Sequence, residues 1–228
     1  MNPRPLIAVS RRYDSALLRE LAATAEIMMP PDEAGTLSRE TLLGVAGRLV
    51  ALITQGDVTV DAALIVASPN LRIVANAAIG VNNLALDELR RRSIWATNAP
   101  EGFVEATADC AIGLLLMLAR RLGEADRFVR AGNWTAFEPG RWDGTLLRGK
   151  TLGLIGYGRI GRAVERRADA FGLTVIHHTR TRTAAPQWRT LEALLAGADV
   201  VSLHVPLNTE SERLLDAGRL ALMKPGAW

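Results

Sequence analysis

Thr151-Leu152-Gly153-Leu154-Ile155-Gly156-Tyr157-Gly158-Arg159-Ile160-Gly161 is an apolar run that stops at three spaced glycines. The run is short and flanked by turn residues, the pattern of a buried strand. After it, Ile160, Val164, Ala168 and Phe171 recur at helical spacing, with Arg162, Glu165, Arg166 and Asp169 pointing elsewhere. This predicts an amphipathic helix over 159–171, with Gly172 placed as its C-terminal cap. A second strand follows over 174–177. G-x-G-x-x-G alone is a weak signal, but between a strand and a helix in a βαβ unit it points to dinucleotide binding. Gly156 permits the tight turn, Gly158 lets backbone approach a pyrophosphate, and Gly161 allows close helix–strand packing. Arg159 and Ile160 open the helix, whose free N–H groups and partial positive charge face the same anion.

The end of the second strand bears on which dinucleotide. An NAD site places Asp or Glu there for the ribose 2′-hydroxyl. This chain reads His177-His178-Thr179-Arg180-Thr181-Arg182, without an acid. Thr179 and Arg180 are suited to a 2′-phosphate that a carboxylate would repel. NADP(H) is therefore the expected cofactor, with NAD(H) as the second choice.

Outward from this unit, strand-like and helix-like segments alternate along the chain, which predicts α/β layers on parallel sheets. A short helix is expected over 191–196 and a third strand over 199–205. Upstream, strands are expected at 6–9, 26–29, 49–54, 71–75 and 94–97, with helices at 16–25, 61–66 and 85–92. Residues 1–98 read as one small α/β domain and 99–228 as the dinucleotide-binding domain. Residues 107–121 are apolar around most of the helix and are expected to be buried, in the fold or against a partner subunit. Cys110 reads as a small buried apolar residue. Residues 132–150 carry Trp134, Phe137 and Trp142 and read as an ordered crossing loop with buried rings.

Composition excludes several classes. Hydrophobic residues make up 49% and charged ones 22%, enough apolar material for a core. The net charge is +3, yet basic residues are scattered among acids with no long basic run, so nucleic acid is not an expected partner. A single cysteine excludes a disulfide framework or cysteine-rich zinc site, and no metal site is expected. The N-terminal apolar run is too short for a signal peptide, and the longest, 110–119, falls short of the ~18 residues that span a bilayer. A cytoplasmic protein without membrane association is expected.

Taken together, residues 150–162, 199–207 (Asp-Val-Val-Ser-Leu-His-Val-Pro-Leu) and 222–227 (Leu-Met-Lys-Pro-Gly-Ala) resemble, in order, the motifs of D-isomer-specific 2-hydroxyacid dehydrogenases. Ala78-Ile79-Gly80-Val81-Asn82-Asn83 and Asn98-Ala99-Pro100 are similar to the family's substrate loop and crossing segment. The resemblance implies a flavodoxin-like substrate domain plus an incomplete Rossmann domain. It implies that Ile79 and Gly80 hold the substrate carboxylate and that Thr107 lies near the nicotinamide or phosphate side. Arg159 and Ile160 would cover the pyrophosphate, while Val205 and Pro206 would wall the adenosine side. It further implies hydride transfer to a short 2-keto acid, with Thr179-Arg180 most similar to the NADP-linked glyoxylate/hydroxypyruvate reductase branch. A homodimer through residues 101–131 is the expected assembly.

Two positions depart from the family pattern: Asp109 where Glu is usual, and Asn82 where Asp is frequent. The family's catalytic Arg, Glu and His would lie beyond Trp228, so no catalytic residue is assigned here and an impaired, truncated member is expected. Its alternative is a non-catalytic dinucleotide-binding or corepressor-like protein. His204 is expected beside the adenosine, and His177 and His178 at the cofactor rim or in solvent. With strand order 3-2-1-4-5-6, three strands would leave 151–155 as an unpaired edge.

Overall fold

A computed structural model describes residues 4–12, 15–32 and 35–228. The start of the N-terminal segment read above for a signal peptide, residues 1–3, lies outside them. The chain divides into two compact units, Met1–Phe103 and Val104–Trp228.

The first unit runs β1 (Leu6–Val9), α1 (Ser15–Thr24), β2 (Glu26–Met28), α2 (Arg39–Val45), a 3-10 turn, β3 (Leu49–Thr54), α3 (Ala62–Ala67), β4 (Ile73–Asn76), α4 (Leu86–Arg91) and β5 (Trp95–Asn98). Its five strands are parallel in the order β2-β1-β3-β4-β5, the doubly wound order of flavodoxin-like sheets. The inner strands β1, β3 and β4 are covered and read as apolar runs rather than alternations, whereas the edge strand β5 is exposed along its length. Leu49, Leu52, Val74, Leu42, Leu64 and Leu89 fill the core. The sequence reading omitted α2. Its start is set by Ser38, whose hydroxyl accepts the Thr41 N–H at 3.1 Å, as Asp61 caps α3 through the Leu64 N–H at 2.9 Å, each satisfying an otherwise orphaned donor.

The second unit comprises α5 (Val104–Ala119), α6 (Leu122–Arg130), β6 (Thr151–Ile155), α7 (Arg159–Ala170), β7 (Thr174–His178), α8 (Leu191–Gly197), β8 (Val200–Leu203) and α9 (Ala217–Leu220). Helices α6 and α9 were not anticipated. The three strands are parallel in the order β7-β6-β8. This corrects the expectation of an unpaired β6: the strand lies in the centre, with Leu152 opposite Val175 on one side and Val200 on the other. The segment beyond β7 contributes only a single bridge, Trp188 beside His177. The 199–205 strand therefore crosses to the other side of β6 instead of extending beyond β7. Trp228 continues the sheet alongside β8, accepting the Val201 N–H at 2.8 Å and donating to Asp199 O at 3.1 Å.

Helix α7 ends as expected. Gly172 adopts φ +68°, and the N–H groups of Gly172 and Leu173 return to the carbonyls of Asp169 and Ala168, a double closure that glycine allows without strain. Helix α5 is buried within the fold on one side only. One face, Ala108, Ile112, Leu115 and Ala119, is buried, while Leu114, Met117 and Leu118 are exposed and so is Cys110. A helix apolar on every side can still bury only the side its neighbour covers, here α7. Arg167 ties the two helices by bonding Asp109 at 2.6 Å and Glu105 at 2.8 Å, so the departure at Asp109 still leaves a carboxylate in reach. In the 131–150 loop, Trp142 packs against Phe128 with ring centroids 5.1 Å apart. Trp134 and Phe137, however, are 64% and 83% exposed, contrary to the burial expected of them.

Candidate functional site

The glycine turn joins β6 to α7, and each glycine meets a different constraint. Gly156 has φ +96°, and a Cβ there would lie 2.5 Å from His204 O, so both backbone and neighbour require glycine. A Cβ on Gly161 would run into the Gly156 carbonyl, as close helix–strand packing demands. Gly158 differs: its φ of −82° and ψ of −153° suit any residue, and a Cβ there would meet nothing within 4 Å. Nothing in the protein needs that glycine. The open space beside it, at the start of α7, fits backbone approach to a pyrophosphate. Gly158 caps α7 without any side-chain bond, so the first N–H groups of the helix, at Arg159, Ile160 and Gly161, are of the kind that can receive an anion.

Two loops flank this turn. On one side, the Gly156 N–H donates to His178 O at 2.9 Å, which fixes Thr179 and Arg180 next to the turn. On the other, the His204 N–H donates to Ile155 O at 2.7 Å and is followed by Val205 and Pro206. Thr179 is held: its hydroxyl donates to Thr181 O at 2.7 Å and accepts the Trp188 indole N–H at 3.1 Å. Arg180 is exposed and pairs with Glu210 at 2.8 Å.

Beneath the turn lies a contact that sequence reasoning missed. His177, expected at the cofactor rim or in solvent, is 2% exposed. Its ring stacks on Tyr157 at 3.9 Å and 7°, and neither ring nitrogen has a hydrogen-bond partner. Burial pulls the imidazole below its usual pKa of 6.5, keeping it neutral. The Tyr157 hydroxyl bonds Glu165, and burial together with that carboxylate pushes the phenol up to about 12. His178 is half-buried, its Nδ1 2.9 Å from Arg189 O. His204 Nε2 sits 3.0 Å from the Ser202 hydroxyl; burial pulls its pKa down as well. With Thr107, Leu115, Leu118 and Trp228 it lines a half-open groove of about 330 Å³ between α5 and β8.

In the first unit, Ile79 and Gly80 occupy the loop after β4. Asn98 Nδ2 donates to Ile79 O at 2.9 Å and Asn76 Nδ2 to Gly80 O at 2.8 Å. The carbonyls are thus pinned, while the two N–H groups enter no hydrogen bond within the described residues. The switch point between β1 and β3, where flavodoxin-like sheets bind ligands, is filled instead by Asp57. Its carboxylate accepts from Ser10, Thr54, the Gln55 N–H and Arg11. These bonds outweigh its burial and hold its pKa below the usual carboxylate value. Among the described residues no group of acids, histidines and cysteine is arranged to hold a metal ion, and no helix is long and apolar enough to cross a membrane.

Residues 112–228 match the family model described as the D-isomer specific 2-hydroxyacid dehydrogenase, NAD binding domain. The chain belongs to the D-isomer specific 2-hydroxyacid dehydrogenase family. Within this dehydrogenase family it is similar to the glyoxylate reductase of Thermococcus kodakarensis, with 39% identity over 98% of this chain and 70% of that one. A solved protein of Thermus thermophilus superimposes with a TM-score of 0.88 at 39% identity, over 97% of this chain and 71% of that one. The NADPH-dependent glyoxylate/hydroxypyruvate reductase of Sinorhizobium meliloti, solved with NADP and malonate, does so at 0.77 and 30%, over 96% and 68%. The chain is thus an oxidoreductase by family, and its second unit is of the kind that binds a nicotinamide dinucleotide.

Proposed function

We propose that the chain binds NADP(H) in preference to NAD(H) and serves the reduction of a short 2-keto acid of the glyoxylate/hydroxypyruvate class. The observation that carries this reading is the end of β7. Thr179 and Arg180 stand beside Gly156 where an NAD site has a carboxylate, and the glycine turn has open space at Gly158. The names of the Thermococcus and Sinorhizobium proteins support the substrate class.

A dinucleotide held here would supply the hydride. The α7 N–H groups would receive its pyrophosphate, Arg180 its 2′-phosphate, and Val205 and Pro206 would wall its adenosine side. Thr107 would stand near its nicotinamide or phosphate side, and the free N–H groups of Ile79 and Gly80 would receive the substrate carboxylate. His177 is sealed off, and the bonds of His178 to Arg189 O and of His204 to Ser202 bring neither ring to a carboxylate that would tune it as a general acid. The 228-residue polypeptide by itself is therefore expected to bind the dinucleotide and to turn over slowly. The exposed apolar side of α5 and the 101–131 region around it are proposed to pair two copies.

Replacing Gly158 by Ala tests the site. The backbone tolerates the methyl group, so thermal stability stays near that of the parent, while NADPH affinity falls at least about tenfold as the pyrophosphate loses its approach. A parent-like NADPH Kd in a folded Gly158→Ala protein would refute the pyrophosphate assignment. NADPH oxidation with glyoxylate and with hydroxypyruvate, beside NADH controls, tests the chemistry. Brisk turnover by this polypeptide would show that one of its histidines, or another group, does supply the proton.

A further inference from the structure

We propose that Glu210 sets the cofactor preference of this site, competing with a ribose 2′-phosphate for Arg180 and itself serving a ribose 2′-hydroxyl. The inference rests on the reading that the end of β7 receives the adenosine ribose.

The two loops that flank the glycine turn meet across its mouth through a single ion pair, Arg180 Nη1 to Glu210 Oε2 at 2.8 Å. The acidic side of this pair is preset by its own turn. Asn208 Oδ1 accepts the N–H groups of Glu210 at 2.9 Å and Ser211 at 3.0 Å. The Asn208 N–H donates to Ser211 Oγ, and that hydroxyl donates to Pro206 O at 2.5 Å. Glu210 therefore projects from a turn locked to the adenosine wall at Val205-Pro206. The basic side is also aimed: Thr179 is fastened between Thr181 O and Trp188, and the Arg182 guanidinium lies over the Trp188 ring at 5.6 Å.

Glu210 engages one terminal nitrogen of Arg180, and the guanidinium offers five N–H donors in a planar fork. A 2′-phosphate on the remaining edge would share the fork with Glu210, placing two anions roughly 6 Å apart. At that range in water, a dianionic phosphate loses about a factor of ten in affinity to the carboxylate. NADH has only a 2′-hydroxyl there, and a carboxylate is the usual acceptor for it. The acid missing from the end of β7 thus arrives from the loop after β8, and the site offers one group to each cofactor.

The test is fluorescence titration of the 228-residue protein with NADPH and with NADH, at low salt and at 0.5 M salt. Glu210→Gln, with Glu210→Ala as a second variant, is expected to raise the NADPH-over-NADH affinity ratio about tenfold at low salt. The gain should shrink at 0.5 M salt, where exposed charges are screened. Arg180→Met should lower NADPH affinity, and combining it with Glu210→Gln should cut the gain to the part that weaker NADH binding contributes. An unchanged ratio in both Glu210 variants, with Arg180→Met still weakening NADPH, overturns the role of Glu210 and leaves the 2′-phosphate reading standing. Unaltered NADPH affinity in Arg180→Met overturns both. Both side chains are exposed, so the variants should fold, and circular dichroism checks that they do.

Discussion

At the scale of residues, His177 raises the sharpest energetic question. A buried imidazole with both nitrogens unpaired costs on the order of 1 kcal/mol or more, and its stack with Tyr157 recovers part of that. Its charged form is disfavoured in the fold, where Glu165, Arg189 and His178 are the charged or titratable groups acting on it. The unfolded chain takes up the proton near pH 6.5 and the native one does not. Stability is therefore full above that pH and is lost as pH falls through 6.5 toward the lowered native value. Urea unfolding between pH 7.5 and 5.5 should show this slope. His177→Phe keeps an aromatic ring on Tyr157 and should flatten much of the slope while raising stability by about 1 kcal/mol at pH 6. His204, shifted the same way, accounts for a remainder. A slope unchanged in His177→Phe would place the proton uptake elsewhere. The Asp57 carboxylate belongs to a separate window, its contribution present above about pH 3.8 and lost below it.

At the scale of elements, α5 shows what an all-round apolar helix leaves open. Ala108, Ile112, Leu115 and Ala119 carry the spacing of a packed face, but Cys110, Leu114, Met117 and Leu118 are as apolar on the other side. Composition could not say which side α7 takes. The uncovered side, with Leu118 64% exposed, is the kind of surface that a second copy covers. Light scattering on the purified chain should give twice the monomer mass, and Leu118→Lys should return the monomer with its far-ultraviolet dichroism intact. A monomeric parent protein would end the pairing proposal. The glycine turn was legible because its three constraints are local: a positive φ, a packed helix start and an open approach fall within six residues. Tyr157 and His177 belong to different strand ends, and only the β6–β7 register brings them together.

At the scale of the whole chain, both layer patterns were legible and the strand order of the second unit was not. Apolar runs at 151–155, 174–178 and 200–203 mark three covered parallel strands, but no run states which neighbour it takes. The same limit hid Glu210, which stands in an unremarkable polar stretch until the loop after β8 folds back toward Arg180. Helices α2 and α9 escaped notice because they are short, seven and four residues, and α6 because it follows α5 with only a two-residue break.

The central position of β6 has a kinetic consequence. Its pairing with β7 closes one βαβ loop, whereas its pairing with β8 must wait for a loop about twice as long, at an added entropy of roughly 0.6 kcal/mol per doubling. Assembly should therefore begin around the glycine turn, with β8 joining late. Refolding of Leu154→Ala should slow in proportion to its lost stability, whereas Val200→Ala should leave the folding rate nearly untouched and quicken unfolding. The β6–α7 turn would then form before β8 joins, and a dinucleotide present during refolding would meet the glycine turn while the Val205-Pro206 side is still unplaced.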